Sequence, residues 1–371
     1  MEVQILGTRG VPAAHGGFET FAEVLALHLT KLGHRVTVYC QSDVTSSAKE
    51  DFWQGIRRIH LHGGEGPLGT MRFDLAAVRE SLRSQGVPLI LGYNTAIFSV
   101  LYLLKRRKTI MNMDGIEWKR EKWSRVERLW LMFNEFLGAR LSTHLIADHP
   151  EIARHLERHT SKAKISVIAY GADELPPIDV PTEEERIILA TFGVEVGRYM
   201  IVIARPEPEN SILEIVEAFC RRSRPGKLIV LGRLSPQSNA YHSRIMDMAN
   251  SDVIMPGAIF DKTVVKTLRR FSMAYIHGHK VGGTNPSLVE ALAAGNPVIA
   301  RSTPFNAWVA GPGAEYFQST THLDDIISKL FADPECLANM RAASRARFQV
   351  DFKQEKILGA YTQLLEAYAT D

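Results

Sequence analysis

The pattern of strand, glycine-containing turn, helix and strand occurs near the beginning of both halves of this 371-residue chain. It is formed by "EVQILGTRG", "GFETFAEVLALHLTKLGH" and "RVTVYCQ" within residues 2–41, and again by "YMIVIAR", "NSILEIVEAFCRR" and "GKLIVLG" within residues 199–232. Units of this kind place neighbouring strands parallel and connect them by right-handed crossovers. The sequence therefore predicts an α/β protein with two Rossmann-like, doubly wound sheets.

Further short apolar runs extend both predicted sheets, namely "PLILGY", "KTIMNMD", "THLIAD" and "KISVIAY" in the first half and "DVIMPG", "MAYIHG" and "PVIA" in the second. The stretch "GADELPPIDVPTEEER" between the halves is rich in proline and acid, which is typical of a connector between compact units. We therefore expect a domain boundary between residues 174 and 175. Ligands of open α/β sheets bind at the carboxyl ends of the strands, so two such domains facing across a cleft would place the site on the loops that follow strands.

Composition excludes several classes of protein. Hydrophobic residues make up 45% of the chain and charged residues 23%, as in ordered globular proteins, and the net charge of +3 is too small to indicate nucleic-acid binding. The apolar run at residues 96–104 is about half the length of a membrane span, and the first residues predict a strand rather than a leader. Three scattered cysteines without metal-binding spacing favour a reducing compartment, so we expect a cytoplasmic protein.

A basic and aromatic segment, "WKREKWSRVERLW" at residues 118–130, lies in the first half, and "KRRK" occupies residues 105–108. Basic residues interleaved with tryptophan are typical of a surface that contacts an anionic membrane or acceptor. The same charges fit a solvated helix face. The sequence leaves both interpretations open.

The glycine-rich loop between the first strand and its helix, "GTRGVPAAHGGFETF", can bind an anion. A helix N-terminus offers unpaired N–H groups and a partial positive charge, and Gly16 and Gly17 let the backbone approach a ligand. Gly7 and Gly10 do not complete a dinucleotide fingerprint, and the second strand ends without an acid at the ribose position, although Asp43 lies nearby. NAD is therefore discounted, and a tight turn without a ligand is the alternative.

A second glycine loop, within "VGGTNPSLVEALAAGNPVIA", precedes an apolar helix. The helix boundaries are marked by Asn285 as the N-cap, Pro286 in the first turn and Gly295 at the end. Gly282 and Gly283 bring the backbone close to a ligand, and the amides of Thr284 and Asn285 can bind an anionic group. Glu290 can accept hydrogen bonds from sugar hydroxyls, the alternative being an exposed helix glutamate. Diphosphate and ribose at one loop would indicate a nucleotide.

Arg205 ends the first strand of the second half, in "ARPEPENS". Its guanidinium can bind a phosphate through two hydrogen bonds and stays charged at any working pH. A surface ion pair with Glu207 or Glu209 is the alternative. Two other anion-binding loops at the carboxyl ends of strands favour the phosphate interpretation.

These motifs together resemble the retaining glycosyltransferases of family 4, which have the two-Rossmann-domain fold called GT-B. The resemblance covers nearly the whole chain and is carried by "ILGTRGVPAAHGGFETFAEVLALHL", "MDGIEWKREKW", "IAYGAD", "ARPEPENS" and "HGHKVGGTNPSLVEALAAGNPVIA". It is most specific for a bacterial, rhamnosyltransferase-like subgroup of surface polysaccharide synthesis. The resemblance implies that the last helix returns to the first domain, so we expect domains of residues 1–174 plus 355–371 and of residues 175–354.

The resemblance also implies the roles of individual residues. Glu290 matches the glutamate that binds the nucleotide ribose, and Arg205 matches the arginine that binds the donor diphosphate. Two positions depart from the family, because Gly282 replaces a glutamate that contacts the donor sugar and Asn210 replaces a lysine. Asp114 is the candidate for the place of the family's catalytic-region histidine.

The site residues predicted in this way fall into three groups. Those implied to be catalytic are Asp114, Arg205 and Glu290. Those implied to bind the donor are Gly16, Gly17, Arg205, Asn210, Gly257, His277, Gly283, Thr284, Asn285 and Glu290. Those implied to lie on the acceptor side are Glu19, Asp114, Glu117 and Trp118.

No metal or resident cofactor is expected, because the family is metal-independent and the chain lacks a convincing D-x-D motif. Asp324 and Asp325 in "HLDDII" are typical of a helix start. His277 and His279 alternate onto one strand face with a spacing that a metal could use, but no third ligand is near in sequence. We interpret these histidines as residues that line the cleft, with a structural role as the alternative.

The resemblance implies transfer of a sugar from a UDP- or dTDP-sugar to a hydroxyl of a glycan or polyprenyl-linked glycan, with retention of configuration. The subgroup implies that this sugar is L-rhamnose. Such an enzyme would work in the cytoplasm, at the inner face of the plasma membrane if it makes peripheral contact there. A nucleotide-sugar epimerase would share the architecture but would need no acceptor. A non-catalytic nucleotide-sugar-binding protein is a second rival, which the departures at Gly282 and Asn210 keep open.

Overall fold

The computed structural model describes residues 1–13, 16–42, 49–120, 123–176 and 180–369, so Asp43 lies outside the described residues. The chain forms two compact units. Unit 1 consists of residues 1–169 and 355–371, and unit 2 consists of residues 170–354. No helix in the described part of the chain is long and apolar enough to cross a membrane.

Unit 1 contains one eight-stranded sheet. Its strands are β1 (Glu2–Leu6), β2 (Arg35–Ser42), β3 (Lys49–Trp53), β4 (Ile56–His62), β5 (Val87–Leu91), β6 (Ile110–Asn112), β7 (His144–Ala147) and β8 (Ile165–Val167), in the order β3-β4-β2-β1-β5-β6-β7-β8. All neighbours are parallel except β3 and β4. Because β1 pairs with β2 on one side and β5 on the other, the chain reverses direction across the sheet at β1, which is where open α/β sheets bind ligands.

The helices of unit 1 are α1 (Gly17–Lys31), α2 (Gly66–Ser81), α3 (Val100–Leu104), α4 (Arg125–Leu141) and α5 (Pro150–Leu156), with α14 (Gln354–Ala369) at the end of the chain. Apolar residues at helical spacing bury one face of α1, namely Phe21, Ala22, Leu25, Ala26 and Leu29. Tyr361 of α14 is buried, and its hydroxyl accepts a hydrogen bond from Nδ2 of Asn112 at 2.8 Å. The last helix is thus fastened beside the end of β6.

Unit 2 contains a six-stranded, wholly parallel sheet. Its strands are β9 (Tyr199–Ile203), β10 (Lys227–Leu231), β11 (Val253–Gly257), β12 (Ala274–His277), β13 (Val298–Arg301) and β14 (Glu315–Phe317), in the order β11-β10-β9-β12-β13-β14. Its central strands are continuous apolar runs because both faces of a parallel sheet are covered. The order reverses between β9 and β12, and this is the switch point of unit 2.

The helices of unit 2 are α6 (Glu183–Thr191), α7 (Ile212–Cys220), α8 (Ala240–Met248), α9 (Lys262–Arg270), α10 (Pro286–Ala293), α11 (Pro304–Ala310), α12 (Thr320–Ala332) and α13 (Pro334–Asp351). The expected helix start at Asp324 and Asp325 is wrong by about one turn, because Ser319 is the N-cap of α12 and its side chain accepts from the amide of His322. Asp324 is instead buried in ion pairs with Arg222 and Arg224. Asp324 therefore has a structural role.

Asp74 of α2 provides a test of the packing in unit 1. Burial raises the pKa of its carboxyl from 3.8 to about 6, although Oγ1 of Thr95 donates a hydrogen bond to it at 2.8 Å. Between these two pH values the folded chain holds a proton that the unfolded chain has released, so the free energy of unfolding falls as pH rises through this window. Asp74→Asn should therefore stabilise the protein by about 1–2 kcal/mol at pH 7 and by almost nothing at pH 4, as measured by urea unfolding. The exposed Asp247→Asn is the matched control, and an equal gain at both pH values would contradict the prediction.

Candidate functional site

The two loops that leave the switch point of unit 2 are the two that the sequence singled out. Residues 204–211 follow β9 and residues 278–285 follow the neighbouring β12. Oγ of Ser211 donates to the carbonyl of Gly278 at 2.8 Å, and the amide of Lys280 donates to the carbonyl of Glu209 at 2.8 Å. A Cβ at Gly278 would lie 2.2 Å from the carbonyl oxygen of Asn210, so only glycine permits this approach. The loops are therefore fastened to each other at the sheet edge.

Arg205 is exposed at the end of β9, and among the described residues its guanidinium forms no ion pair with Glu207, Glu209 or any other acid. Asn210 is buried, and its Nδ2 donates to the carbonyl of Arg205 at 2.8 Å. The amide thus holds the turn after β9 in shape, while the arginine presents its charge to solvent.

Two further cations lie at the same edge and were missed by the sequence analysis. Nζ of Lys280 is 3.1 Å from a carboxylate oxygen of Glu214 and 3.2 Å from the carbonyl of Pro208. Arg301 ends β13, the next strand after β12, and its guanidinium lies over the ring of Phe317. Together with Arg205, these residues put three cations on the loops and strand ends around the switch point. Such a charge distribution favours an anionic ligand.

The start of α10 has the geometry that its sequence predicted. Asn285 is the N-cap, its side chain accepts from the amide of Ser287 at 3.0 Å, and Pro286 occupies the first turn. Thr284 is buried and Gly295 has a φ of +69° just beyond the helix end. Pro286 has no N–H group, and the amides of Leu288 and Val289 donate to the carbonyl of Asn285 at 3.1 and 3.2 Å. The start of the helix therefore offers the positive end of its dipole at the switch point rather than free first-turn amides.

Gly282 and Gly283, which precede Thr284, place no side chain near the start of α10. Gly282 has a φ of +144°, which other residues rarely adopt, and a Cβ built on it would meet no atom within 4 Å. The loop conformation, rather than crowding, therefore favours glycine at the position where the resembling family has a glutamate. Gly283 follows in the same loop.

Glu290 lies one turn inside α10 and is fixed by an arginine that the sequence analysis missed. Nη2 of Arg269, at the end of α9, is 2.6 Å from Oε2 of Glu290. The arginine side chain is 6% exposed and that of Glu290 is 47% exposed. One carboxylate oxygen is therefore bound to a buried guanidinium, while about half of the glutamate side chain remains accessible to a ligand. A carboxylate in this position can accept hydrogen bonds from a pair of hydroxyls.

His277 and His279 lie at and just beyond the end of β12, as their alternation predicted. Their rings stack with centroids 4.2 Å apart, and Nδ1 of His277 is 3.4 Å from the hydroxyl of Tyr275. Burial, followed by the neighbouring His279, lowers the pKa of His277 well below its usual value. His277 is therefore a neutral ring at physiological pH. Gly257 ends β11 with a φ of +92°, on the same side of the sheet but separated from β9 by β10.

In unit 1, the loop after β6 carries three predicted residues. Asp114 adopts a left-handed φ of +52°, and its amide donates to Oδ1 of Asn112 at 2.9 Å. The amide of Glu117 donates to the hydroxyl of Tyr93 at 2.9 Å. Nε1 of Trp118 donates to Oε2 of Glu135 at 3.0 Å. A non-glycine residue in this conformation stores strain, and such positions cluster at functional sites.

The loop after β1 leads into α1 through Gly16, whose φ of +89° and lack of a side chain make it the N-cap. Gly17 begins the helix and Glu19 is buried in its first turn. Glu19 lines a pocket of about 200 Å³ at the ends of β1, β2 and β4, together with Arg9, Gly10, Val11, Pro12, Cys40, Gln41 and His60. The predicted loops of unit 1 therefore also lie at the carboxyl ends of its strands.

Comparisons with known proteins agree with this architecture. Residues 1–173 match a family described as a domain of unknown function, DUF1972, and no curated protein gives a significant match. The structure is similar to that of sucrose-phosphate synthase from Thermosynechococcus elongatus, with a TM-score of 0.81 and 18% identity over 100% of both chains. It is also similar to HepE from Anabaena in complex with UDP and glucose, with a TM-score of 0.79 and 16% identity over 99% of this chain and 100% of that one.

A third similar structure is the UDP-forming α,α-trehalose-phosphate synthase from Burkholderia vietnamiensis, with a TM-score of 0.74 and 10% identity over 99% of this chain and 100% of that one. At such low identity, the likeness establishes the fold. The protein has the GT-B fold, and the predicted fold class of two Rossmann-like α/β domains is confirmed.

Proposed function

We propose that the protein is a glycosyltransferase that moves a sugar from a nucleoside diphosphate sugar to a hydroxyl of a glycan or lipid-linked glycan. The observation that carries this proposal is the switch point of unit 2, where the N-terminus of α10, Arg205 and the carboxylate of Glu290 follow or flank β9 and β12. The structures of HepE in complex with UDP and with UDP-glucose support a donor of this class. No cofactor beyond this co-substrate is needed.

The donor diphosphate would bind between the start of α10 and the guanidinium of Arg205. Negative charge builds on the diphosphate as its bond to the sugar breaks, and fixed amides, the helix dipole and a cation stabilise that charge without moving. In the resembling family a lysine at the position of Asn210 adds a second positive charge. Asn210 is uncharged, and Lys280 would supply this charge instead. These groups supply the counter-charge that a metal ion supplies in other transferases, so we propose a metal-independent reaction.

The ribose would bind to Glu290, whose outer face is open and whose inner oxygen is held by Arg269. The donor sugar is proposed to be L-rhamnose, on a UDP or dTDP carrier, from the subgroup that the sequence resembles. Gly282 supports a sugar that does not need the usual glutamate contact. Retention of configuration, membership of family 4 and a role in surface polysaccharide synthesis belong to the same proposal.

The acceptor would bind to unit 1. Asp114 is held in a left-handed conformation by Asn112, so its carboxylate is positioned without help from a ligand. It would orient the acceptor hydroxyl or stabilise positive charge on the sugar. Glu117 and Trp118 in the same loop, and Glu19 at the first glycine loop, provide further polar and aromatic contacts for a sugar.

We also propose that unit 1 contacts an anionic membrane surface, where a polyprenyl-linked acceptor would be found. An apolar stripe on α4, formed by Val126, Leu129 and Phe133, is exposed by 76%, 66% and 47%. The basic Arg125 and Arg140 lie on the same helix. Exposed apolar residues with a basic flank are typical of helices that lie in a lipid interface. The predicted segment at residues 118–130 includes Val126 and Leu129 of this stripe but not Phe133, and its residues 121 and 122 lie outside the described residues.

Binding of a panel of nucleoside diphosphate sugars, followed by calorimetry and thermal unfolding, tests the donor site. Glu290→Ala should weaken the donor that binds best by about tenfold or more, because a charged hydrogen bond to the ribose is lost. Glu217→Ala, which removes a half-buried glutamate of α7, is the matched control and should bind normally. Equal donor affinity of Glu290→Ala and the unmodified protein would show that the ribose does not bind to this carboxylate.

The same panel separates the proposed function from its rivals. A transferase releases nucleoside diphosphate, an epimerase changes the donor sugar without releasing it, and a non-catalytic protein binds the donor unchanged. Because Gly282 and Asn210 depart from the pattern of the resembling family, a non-catalytic protein that binds the nucleotide sugar is the second candidate function. Binding without product in the presence of membrane extract as the acceptor source would support it.

A further inference from the structure

Three side chains of unit 1 bring two imidazoles and a carboxylate together behind the loop of Asp114. Glu135 is on α4, His155 is on α5, and His159 is in the turn that follows α5. Nε2 of His155 is 2.7 Å and Nε2 of His159 is 3.6 Å from Oε1 of Glu135. One potential ligand atom from each of the three residues lies within 4.8 Å of the other two.

The backbone of α5 and of the turn that follows it places His155 and His159 on the same face. They are four residues apart, and the chain continues to turn beyond α5 because the amide of His159 donates to the carbonyl of Leu156 at 2.8 Å. Residues at this spacing lie on the same face of a helical turn. Glu135 reaches them from the packed neighbouring helix, so the three ligands are held by two separate elements.

The charge of the cluster is not balanced by an arginine or lysine. The Glu135 side chain is 4% exposed, and in the described part of the chain its ion pairs are formed only with the imidazoles of His155 and His159. A buried carboxylate is costly unless a cation compensates it, and imidazole nitrogen is a common ligand of metal cations. A divalent metal ion bound to all three groups would provide the missing charge.

The surroundings are also those of a metal site. The second oxygen of Glu135 accepts a hydrogen bond from Nε1 of Trp118 at 3.0 Å, which orients the carboxylate. The ring of Trp118 lies 6.1 Å from that of His155, and Phe136 meets His159 edge-on at 5.8 Å. A hydrogen bond that orients a ligating carboxylate is typical of the outer shell of a metal site.

We propose that Glu135, His155 and His159 bind a zinc ion. Zinc binds imidazole nitrogen and carboxylate oxygen at about 2.0–2.2 Å with tetrahedral geometry, so its ligand atoms lie about 3.3 Å apart. The distances of 2.7 Å and 3.6 Å bracket this value. Two histidines and one carboxylate suit zinc better than magnesium or calcium, which prefer oxygen ligands alone. A water molecule would complete the fourth position.

The role of this ion would be structural. It would join α4 to α5 and, through Trp118, would order the loop that carries Asp114 and Glu117. The zinc titration needs neither donor nor acceptor, so its outcome is independent of the outcome of the test of the proposed transfer reaction.

The test uses the full chain after treatment with a chelator. Calorimetric titration with zinc chloride should give one site per chain, and cobalt(II) should give the visible absorption of a tetrahedral nitrogen–oxygen site. Glu135→Gln and His155→Ala should abolish the site, and Trp118→Phe should weaken zinc binding by about tenfold. His322→Asn, which replaces an exposed histidine of α12, should bind zinc as the unmodified protein does.

Uptake of much less than one zinc ion per chain by the unmodified protein would overturn the proposal and leave a carboxylate–imidazole hydrogen-bond network. Zinc binding that survives in Glu135→Gln would overturn it as well, because the ion would then bind elsewhere. Absence of the cobalt spectrum from the unmodified protein would overturn the proposal even if the variants do not fold.

Discussion

Replacement of Arg205 by alanine should reduce turnover by about 10²-fold, which is the loss that follows removal of one preorganised group that stabilises developing negative charge. The guanidinium is exposed at the end of β9 and, among the described residues, is bound to no acid. Its loss should therefore change the reaction more than the stability of the fold. The rate of nucleoside diphosphate release from the donor selected in the binding panel measures the effect, with water taking the place of the unidentified acceptor.

Two further variants make this experiment specific. Arg205→Lys keeps the charge but loses the planar fork that binds phosphate through two hydrogen bonds, so its rate should lie between those of alanine and arginine. Arg244→Ala removes an exposed arginine of α8 and should leave the rate unchanged. If Arg205→Ala releases nucleoside diphosphate as fast as Arg244→Ala does, Arg205 takes no part in the reaction.

The sequence predicted the switch point of unit 2 because local signals mark it. Asn285, Pro286 and Gly295 determine the start and end of α10 through backbone requirements that any parallel sheet would share. The strand before each loop is a continuous apolar run. Loop and helix boundaries are local properties, so one sequence was enough to place them.

The partners of the predicted residues could not be obtained in this way. Arg269 binds Glu290 from a different helix, 21 positions earlier in the chain, and Lys280 is tied to Glu214 of α7. The first pairing depends on how α9 and α10 pack on the sheet, and the second depends on how the loop after β12 lies against α7. The double arginine at the end of α9 was visible, but nothing in its spacing distinguishes an arginine that interacts with the helix dipole from one that fixes a carboxylate.

The antiparallel hairpin of β3 and β4 was also missed, and its chemistry explains why. The sequence of β3 is "KEDFW", which has no apolar alternation and is largely exposed. Its stability comes from cross-strand pairs, because Arg57 donates two hydrogen bonds to Glu50 and Arg58 donates two to Asp51, all at 2.7–2.8 Å. A hydrophobic pattern cannot detect a strand that is held by charges at the edge of a sheet.

The cluster of Glu135, His155 and His159 illustrates the same limit. His277 and His279 have the spacing of metal ligands in the sequence, but they lie at and just beyond the end of β12 and form no three-ligand cluster in the described part of the chain. The histidines that do meet a carboxylate lie 20 and 24 positions beyond it. Only the packing of α4 against the element that follows β7 brings them together.

Substitution of the apolar stripe on α4 should have the second large effect. The triple variant Val126→Ser, Leu129→Ser, Phe133→Ser should lower partition onto vesicles that contain anionic phospholipid by about 10²-fold. Each side chain that enters the interface contributes roughly 1 kcal/mol when only part of its surface leaves water, and three such losses give that factor. Sedimentation with vesicles of phosphatidylcholine, with and without phosphatidylserine, measures the partition.

The controls distinguish lipid binding by α4 from nonspecific adsorption through exposed apolar side chains. Ile187 and Val350 of unit 2 are exposed by 61% and 63%, so the double variant Ile187→Ser, Val350→Ser removes comparable apolar surface elsewhere. It should bind the vesicles as the unmodified protein does. Binding should also decrease as salt rises, because Arg125 and Arg140 contribute through charges that ions screen. If the triple variant sediments like the unmodified protein, or if phosphatidylserine makes no difference, α4 is a solvated helix and the acceptor must reach unit 1 without help from the membrane.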